Sequence, residues 1–137
     1  MWFEAGYSCS QSVLGVFADD FSLPHPTAMK LTTAFGGGLA GCGEICGALS
    51  GALMVIGLRF GRVIPDDFAA KEKTYESTLE ILKSFESKHG SLLCRYLRIE
   101  DRSTPAREKA AHEKCSDYVR DIVLLLEKLF KGASDRN

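Results

Sequence analysis

The sequence predicts an all-α fold, a single-domain bundle of about five helices around a central glycine-rich helix. Apolar residues recur at three- and four-residue spacing through the longer segments, which is the period of a helix buried along one face. Capping and breaking residues bound these segments, and no stretch shows the strict alternation of a half-buried strand. The 137 residues are enough for one ordinary domain. We expect this domain to span residues 1–132, followed by a polar C-terminal tail over residues 133–137.

The first half of the chain predicts three helices. Ser8 can cap a helix that continues to about residue 21. A Pro-His-Pro segment then interrupts the chain, and a short helix over about residues 28–35 follows. Three glycines in succession predict a turn before the central helix, which spans about residues 43–60. The buried face of the first helix is predicted to carry Cys9, Val13, Val16 and Phe17.

The second half predicts a long amphipathic helix, one short helical turn and a final helix. Asp66 or Asp67 can cap the long helix, which ends near His89. The short turn should carry Cys94, and residues 98–103 should form an exposed polar loop. A Thr-Pro pair then begins the last helix, which is expected to end near the final glycine of the chain. The apolar face of the long helix is predicted to comprise Phe68, Tyr75, Leu79, Leu82 and Phe85.

Charged residues are distributed very unevenly along the chain. Residues 1–58 hold five of them, and the remaining residues hold thirty. The charge-poor half is therefore expected to lie inside a layer of C-terminal helices or to be covered by a second subunit, as in a homodimer. The net charge of −1 gives no general attraction to nucleic acid.

An apolar stretch in the first half must be compared with a membrane span. Its uninterrupted part, residues 45–58, is shorter than the roughly 20 residues that cross a bilayer. We therefore expect no membrane insertion. The chain also opens without the basic and apolar regions of a signal peptide, so we expect a cytoplasmic location.

Four cysteines lie far apart in the sequence, and each falls at a predicted helix end or on a predicted buried face: Cys9, Cys46, Cys94 and Cys115. Cys9 and Cys94 lie in first helical turns, where free amide groups and the helix dipole favour the thiolate. In a reducing compartment, grouped cysteines more often serve redox or metal chemistry than structural disulfides. We therefore predict one site shared by the four thiols. Cys115 lies on an apolar stripe with Tyr118, Ile122, Leu125 and Leu129.

Glycines recur at every fourth position of the central helix, at Gly43, Gly47 and Gly51. This spacing places bare backbone along one helix face, where another helix can approach closely. A thiol beside this face can reach groups on the neighbouring helix. The adjacent row is predicted to hold Cys42, Cys46, Ser50 and Met54.

The segment around Cys46 resembles the signature of a known protein family. Residues 46–51 read Cys-Gly-Ala-Leu-Ser-Gly, which is similar to the CGAxxG motif of a redox-active family with four cysteines, the C_GCAxxG_C_C family. Residues 6–13 resemble the region of its first cysteine, and Cys94 and Cys115 match the third and fourth. The resemblance implies a helical protein whose four cysteines act together. A related region of split-Soret cytochromes is suggested to hold an iron–sulfur centre, so the resemblance also implies that a cluster is one option.

Two kinds of chemistry fit the four thiols. They can cycle through disulfides as dithiol pairs with an unidentified redox partner, an exposed thiolate at Cys9 or Cys94 attacking first. They can instead be ligands of an iron–sulfur cluster or of tetrahedral zinc. Four cysteines allow three disulfide pairings, and the sequence favours none of them. Cys42, which is not one of the family's four, and His112 are weaker candidates for a metal ligand.

A different class of function is also compatible with the sequence. The glycine row and the charge-poor half can form the interface of a non-enzymatic dimerisation module, in which the cysteines only fill the core. Other enzyme classes are not predicted. Residues 36–41 match GxGxxG, but no strand precedes them and no acidic residue follows about 20 positions later. No serine has a sequence-linked base, and His25 and His89 are expected to be structural.

Overall fold

The all-α prediction is confirmed. The computed structural model describes residues 2–135, with side chains through Ala133, and six α-helices follow one another along this part of the chain. Short 3-10 helices, Ala18–Phe21 and Thr33–Phe35, extend the first two. Over the described range there is no β-strand, and strand-like pairing is confined to one isolated bridge between Ile45 and Leu93. The helices are α1 Cys9–Phe17, α2 His25–Thr32, α3 Gly47–Phe60, α4 Phe68–His89, α5 Cys94–Leu97 and α6 Pro105–Asp135.

α1 begins where the sequence predicts. The Ser8 hydroxyl accepts a hydrogen bond from the Gln11 amide at 3.4 Å, and the Gln11 side-chain oxygen accepts one from the Ser8 amide at 3.1 Å. Such a reciprocal cap contributes about 1 kcal/mol and fixes Cys9 as the first helical residue. Of the four residues predicted for the buried face, Val16 is 37% exposed, whereas Leu14, which was not predicted, is buried.

α3 begins at Gly47, four residues later than predicted. Backbone hydrogen bonds pair residues 43–46 with residues 92–95 instead, so this segment is not helical. Cys46 is therefore the residue that precedes the helix, and Cys42 lies outside it. The prediction that Cys42 and Cys46 share a helical row is wrong.

Close approach of α1 to α3 depends on two of the three glycines in the predicted row. A Cβ atom on Gly51 would lie 2.9 Å from the carbonyl oxygen of Ser10, and one on Gly47 would lie 3.3 Å from the Cβ of Cys9. The two helices therefore pack backbone against backbone. Gly43 lies in the preceding loop. The glycine row is thus a contact within one chain and is not available to a second subunit.

α3 forms the centre of the bundle, and α1, α4 and α6 cover it. The charge-poor half is therefore enclosed in part by later helices, which was one of its two predicted explanations. No helix among the described residues is long and apolar enough to cross a membrane. The fully buried side chains of α3 are Ala48, Leu49, Ala52, Val55 and Ile56.

α6 carries the predicted apolar stripe along the side that faces the bundle. The helix continues to Asp135, beyond the predicted end at Gly132. Residues 136–137 of the predicted tail lie outside the described residues. The stripe is buried or half-buried at Cys115, Tyr118, Ile122, Leu125 and Leu129.

α4 turns a different face to the core from the one predicted. Leu82 and Phe85 pack against the core as expected. Phe68, Tyr75 and Leu79 are instead exposed by 65%, 61% and 63%. Positions two residues apart point to nearly opposite sides of a helix, because each residue turns the helix by about 100°. α4 therefore leaves an apolar row on the outside of the bundle, and its buried residues are Ser77, Ile81 and Phe85.

Candidate functional site

The four predicted site cysteines line a single pocket of about 220 Å³. Cys9 is the first residue of α1, and Cys46 immediately precedes α3. Cys94 is the first residue of α5, and Cys115 lies within α6. The fold thus brings together four thiols that are remote in sequence. The pocket is completed by Ser8, Gly37, Gly47, Leu97, Arg98, Arg102 and Tyr118.

Backbone pairing between two loops positions Cys46 and Cys94. The Cys46 amide donates to the Leu92 carbonyl at 2.9 Å, and the Cys94 amide donates to the Glu44 carbonyl at 2.7 Å. Gly38 packs against the same junction, and a Cβ atom there would lie 2.7 Å from the Cβ of Cys94. Its φ of +70° also favours glycine. The glycine-rich loop is therefore shaped to bring the two paired segments together.

A left-handed turn forms part of the pocket wall. Five consecutive residues, 37–41, have φ between +50° and +80°. Two of them, Leu39 and Ala40, adopt a conformation that costs an L-residue about 1–2 kcal/mol. Five successive amides from Ala40 onward hold the turn by donating to carbonyl groups within residues 34–39. Strained backbone of this kind is concentrated at functional sites, and Gly37 lines the pocket.

Cys9 and Cys115 are two pocket thiols that strongly influence each other's pKa. Hydrogen bonding with the Cys9 thiol lowers the pKa of Cys115 to about 7 against the opposing effect of burial. The guanidinium groups of Arg102 and Arg98 act in the same direction. The hydrogen bond and burial raise the pKa of Cys9, because its deprotonation would remove the bond and create a second buried charge. Negative charge in the pocket therefore resides first on Cys115.

Cys46 and Cys94 are less acidic thiols. Burial raises the pKa of Cys46 to about 11, although amide groups at the start of α3 offset part of this effect. Burial also raises the pKa of Cys94, and Arg98 opposes the change. The expectation that a helix start makes Cys9 or Cys94 the thiolate is therefore not met, because hydrogen bonding with Cys115 and burial raise the pKa of Cys9, and burial raises that of Cys94.

Arg98 and Arg102 line the pocket, although the sequence pattern places them in an exposed loop. Arg98 donates to the Gly41 carbonyl at 3.3 Å and to Glu100 at 2.6 Å, and Arg102 donates to Glu108 at 3.2 Å. Neither glutamate lines the pocket. The thiols thus face two cations directly. The sequence feature that could have indicated these residues is their position, four residues apart, between the last two site cysteines.

Tyr118 adds a rigid, uncharged wall to the pocket. Its hydroxyl donates to the Leu97 carbonyl at 2.9 Å, and its ring packs edge-on against Phe85 and His89. Burial raises the pKa of Tyr118 to about 12, so the phenol stays neutral. His89 Nε2 lies 2.8 Å from an Asp121 carboxylate oxygen, which agrees with the structural role predicted for this histidine.

The two weaker metal-ligand candidates lie outside the pocket. Cys42 is exposed in the loop before α3, and the exposed His112 stacks its ring on Phe3 at 4.6 Å between centroids. All five cysteines are free thiols. Across the part of the chain that the structure describes, no group of three or more His, Cys, Asp or Glu side chains is arranged to hold a metal ion.

Comparison with known proteins supports the resemblance seen in the sequence. A sequence model of a protein family, described as "Putative redox-active protein (C_GCAxxG_C_C)", matches residues 7–129. Neither a search of curated proteins nor a search of solved structures returned a match. The matched region contains all four pocket cysteines, and the chain belongs to the C_GCAxxG_C_C family.

Proposed function

We propose that this protein is a thiol redox protein in which Cys9 and Cys115 are the first reacting pair. The observation that carries the proposal is the convergence of Cys9 and Cys115 on one pocket that also holds Cys46 and Cys94, and hydrogen bonding with Cys9 lowers the pKa of Cys115 there. A thiol with a pKa of about 7 is substantially deprotonated at neutral pH, and the thiolate is the nucleophile. Membership of a family described as redox-active supports the same assignment.

The proposed reaction is thiol–disulfide exchange. The Cys115 thiolate attacks one sulfur of a substrate disulfide, whose S–S bond breaks, and the first substrate thiolate leaves with the electron pair and takes a proton from water. Cys9 then releases its proton to solvent and attacks the Cys115 sulfur, which frees the second substrate thiol. Two protein thiols are thereby oxidised to one disulfide, and the substrate disulfide is reduced to two thiols.

Cys46 and Cys94 are proposed as a second dithiol. Their raised pKa values keep them protonated at neutral pH, so they react after a disulfide has formed beside them. Thiol–disulfide exchange with a Cys9–Cys115 disulfide would form a Cys46–Cys94 disulfide and return Cys9 and Cys115 to thiols. This step needs no external oxidant. A reducing cytoplasm would return all four thiols to the reduced state, and we infer that location for the protein.

Disulfide mapping tests this proposal. The reduced full-length protein is exposed briefly to a small disulfide, the remaining thiols are alkylated, and linked peptides are identified by mass spectrometry. We expect the Cys9–Cys115 link to form first. Cys115→Ser should abolish it, whereas Cys42→Ser, which alters a thiol outside the pocket, should leave it unchanged. A first link other than Cys9–Cys115 would contradict the proposal.

An iron–sulfur cluster is a second candidate, because all four pocket cysteines line one cavity, although no three of these described side chains are arranged to hold a single metal ion. Four thiolates are a complete ligand set for a two-iron or four-iron cluster, which would supply one-electron transfer. Cys9, Cys46, Cys94 and Cys115 are the residues that would hold it, around a cavity of about 220 Å³. A single zinc ion needs sulfur ligands at about 2.3 Å on all sides, and the arrangement of the thiols gives it less support.

Visible absorption of protein purified without oxygen separates the two candidates. Sulfur-to-iron bands, together with iron and sulfide in the protein, would identify a cluster. A colourless protein with titratable pocket thiols would support dithiol chemistry. Cys46→Ser sharpens the test, because it should remove a cluster but should leave formation of the Cys9–Cys115 link intact.

A non-enzymatic dimerisation module is the candidate from another class, and the apolar row on α4 favours it. Phe68, Tyr75 and Leu79 are exposed, as are Val63 and Ile64 just before the helix. A homodimer that used this row would remove the apolar surface from water. Sedimentation of the wild type and of Leu79→Glu tests the idea. A dimer that dissociates in the variant supports this interface, and a monomeric wild type contradicts it.

A further inference from the structure

We propose that the pocket selects small anionic disulfides, whose carboxylate binds Arg98 and Arg102 while Cys115 attacks the adjacent sulfur. The inference rests on the proposed thiol–disulfide exchange and adds the chemical class of its substrate. Three features of the pocket support it: the charge of its lining, the helix ends that open onto it, and its size.

The two permanently charged side chains that line the pocket, Arg98 and Arg102, are both cationic. Their ion-pair partners, Glu100 and Glu108, lie outside the lining with side chains 65% and 55% exposed. In Arg102, Nε donates to the Ile99 carbonyl and Nη1 to Glu108, while Nη2 has no partner among the described residues. A carboxylate that enters the pocket therefore meets guanidinium donors of Arg98 and Arg102, and the one anionic group in the lining is the Cys115 thiolate that attacks the disulfide. Hydrogen bonds between guanidinium and carboxylate are among the stronger ones in proteins.

Two helix N-termini reinforce the positive potential. Cys9 and Gly47 are the first residues of α1 and α3, and both line the pocket. The first amides of a helix have no partner within the helix and carry the positive end of its dipole. These groups attract an anion in addition to the two arginines, which provide the specific contacts.

The size of the pocket limits the ligand. Its volume of about 220 Å³ is below the roughly 300–1,000 Å³ that accommodates drug-sized molecules. A short disulfide with a carboxylate a few bonds from sulfur suits this space better than a bulky one. Both arginines act on the Cys115 sulfur, so an anion bound to them places its disulfide beside the attacking atom.

Three short symmetrical disulfides that differ in charge test the inference: anionic dithiodipropionate, neutral 2-hydroxyethyl disulfide and cationic cystamine. The rate at which each consumes thiols of the reduced full-length protein is divided by its rate with free 2-mercaptoethanol, which removes differences in intrinsic reactivity. We expect the normalised rate of the anionic disulfide to exceed that of the neutral one by about tenfold, with the cationic one slowest. Salt at about 1 M should remove most of this preference.

Arginine variants separate recognition from activation of the thiol. Loss of activation alone would slow all three disulfides equally. Arg98→Gln or Arg102→Gln should instead lower the ratio of anionic to neutral rates by about tenfold. Arg102→Lys should retain part of the preference, because it keeps the charge but loses the forked geometry. Arg107→Gln is the matched control, since Arg107 pairs with Asp101 and does not line the pocket.

Equal normalised rates for the three disulfides, or an unchanged ratio in both glutamine variants, would overturn the inference. Failure of all three disulfides to react would overturn the dithiol function itself, so the two failures are distinguishable. The comparison of the three disulfides uses the wild-type protein. Its outcome therefore stands even if an arginine variant does not fold.

Discussion

The two thiol pairs lie in one cavity but differ in what surrounds each sulfur. Hydrogen bonding with Cys9 lowers the pKa of Cys115, and Arg102 and Arg98 act in the same direction. Cys46 and Cys94 are positioned by backbone pairing, and burial raises both of their pKa values. Three of the four thiols lie at helix starts, yet the one with the lowered pKa is Cys115, inside α6. The immediate donors and cations around a sulfur outweigh its place on a helix.

Replacement of the attacking sulfur should separate the pairs most strongly. Cys115→Ser should lower the rate of disulfide consumption by about a thousandfold or more, because a serine hydroxyl is not ionised at neutral pH. Cys94→Ser should lower it by less than about tenfold, since Cys9 still resolves the mixed disulfide. Stopped-flow measurement of released thiol checks both. Similar losses in the two variants would mean that the pairs are not functionally distinct.

A backbone substitution should disturb the second pair through the loop that holds it. Gly38→Ala should lower the free energy of unfolding by about 3 kcal/mol, because the new Cβ would lie 2.7 Å from the Cβ of Cys94 in a left-handed conformation. Urea unfolding measures the change. Gly57→Ala is the control, since no atom lies within 4 Å of its new Cβ and alanine favours a helix by about 1 kcal/mol. Equal stability of the two variants would refute the tight fit at Gly38.

The pH dependence of alkylation should grade the thiols by acidity. Because the thiolate reacts, the rate at Cys115 should rise about tenfold from about pH 6 to about pH 8, with its midpoint at the pKa of about 7. Cys46, with a pKa of about 11, should still be gaining reactivity in strong alkali. Brief treatment with iodoacetamide and peptide mass spectrometry resolves the sites. A common midpoint for both thiols would remove the basis for ranking them.

The fifth cysteine should give the smallest effect. Cys42→Ser should change the free energy of unfolding by less than about 0.5 kcal/mol, because the side chain is exposed and lies outside the pocket. The rate of disulfide consumption should also stay unchanged. A marked slowing in the same stopped-flow assay would place Cys42 in the reaction and extend the comparison to a third kind of thiol.

Signals confined to a few neighbouring residues predicted some helix boundaries correctly, although α2 begins at His25, within the Pro-His-Pro segment that was predicted to interrupt the chain. Ser8 caps α1, Asp67 caps α4, and Gly90 follows its last residue, as the sequence indicates. The predicted start of α3 is wrong because residues 43–46 pair with residues 92–95, which are distant in sequence. The predicted buried face of α4 is wrong for a similar reason. Apolar spacing identifies a helix, but the neighbouring helices decide which side is covered.

The candidate site was likewise predicted only in part from the sequence. The spacing of the four cysteines and the motif at residues 46–51 indicated the residues that line the pocket. The acidity of Cys115 could not be predicted, because it arises from a contact with Cys9 across most of the chain. The two pocket arginines were missed because an alternating run of basic and acidic residues is typical of a solvated surface.

The left-handed turn over residues 37–41 gives the pocket a wall of main chain whose amides are fastened to nearby carbonyl groups. Gly38 leaves no room for one added carbon beside Cys94, so a movement of Cys94 toward the turn would disturb the main chain there. If oxidation moves Cys94 in that direction, deuterium uptake at the amides of residues 40–44 would rise. Those peptide groups would then report on a thiol reaction in which they take no part.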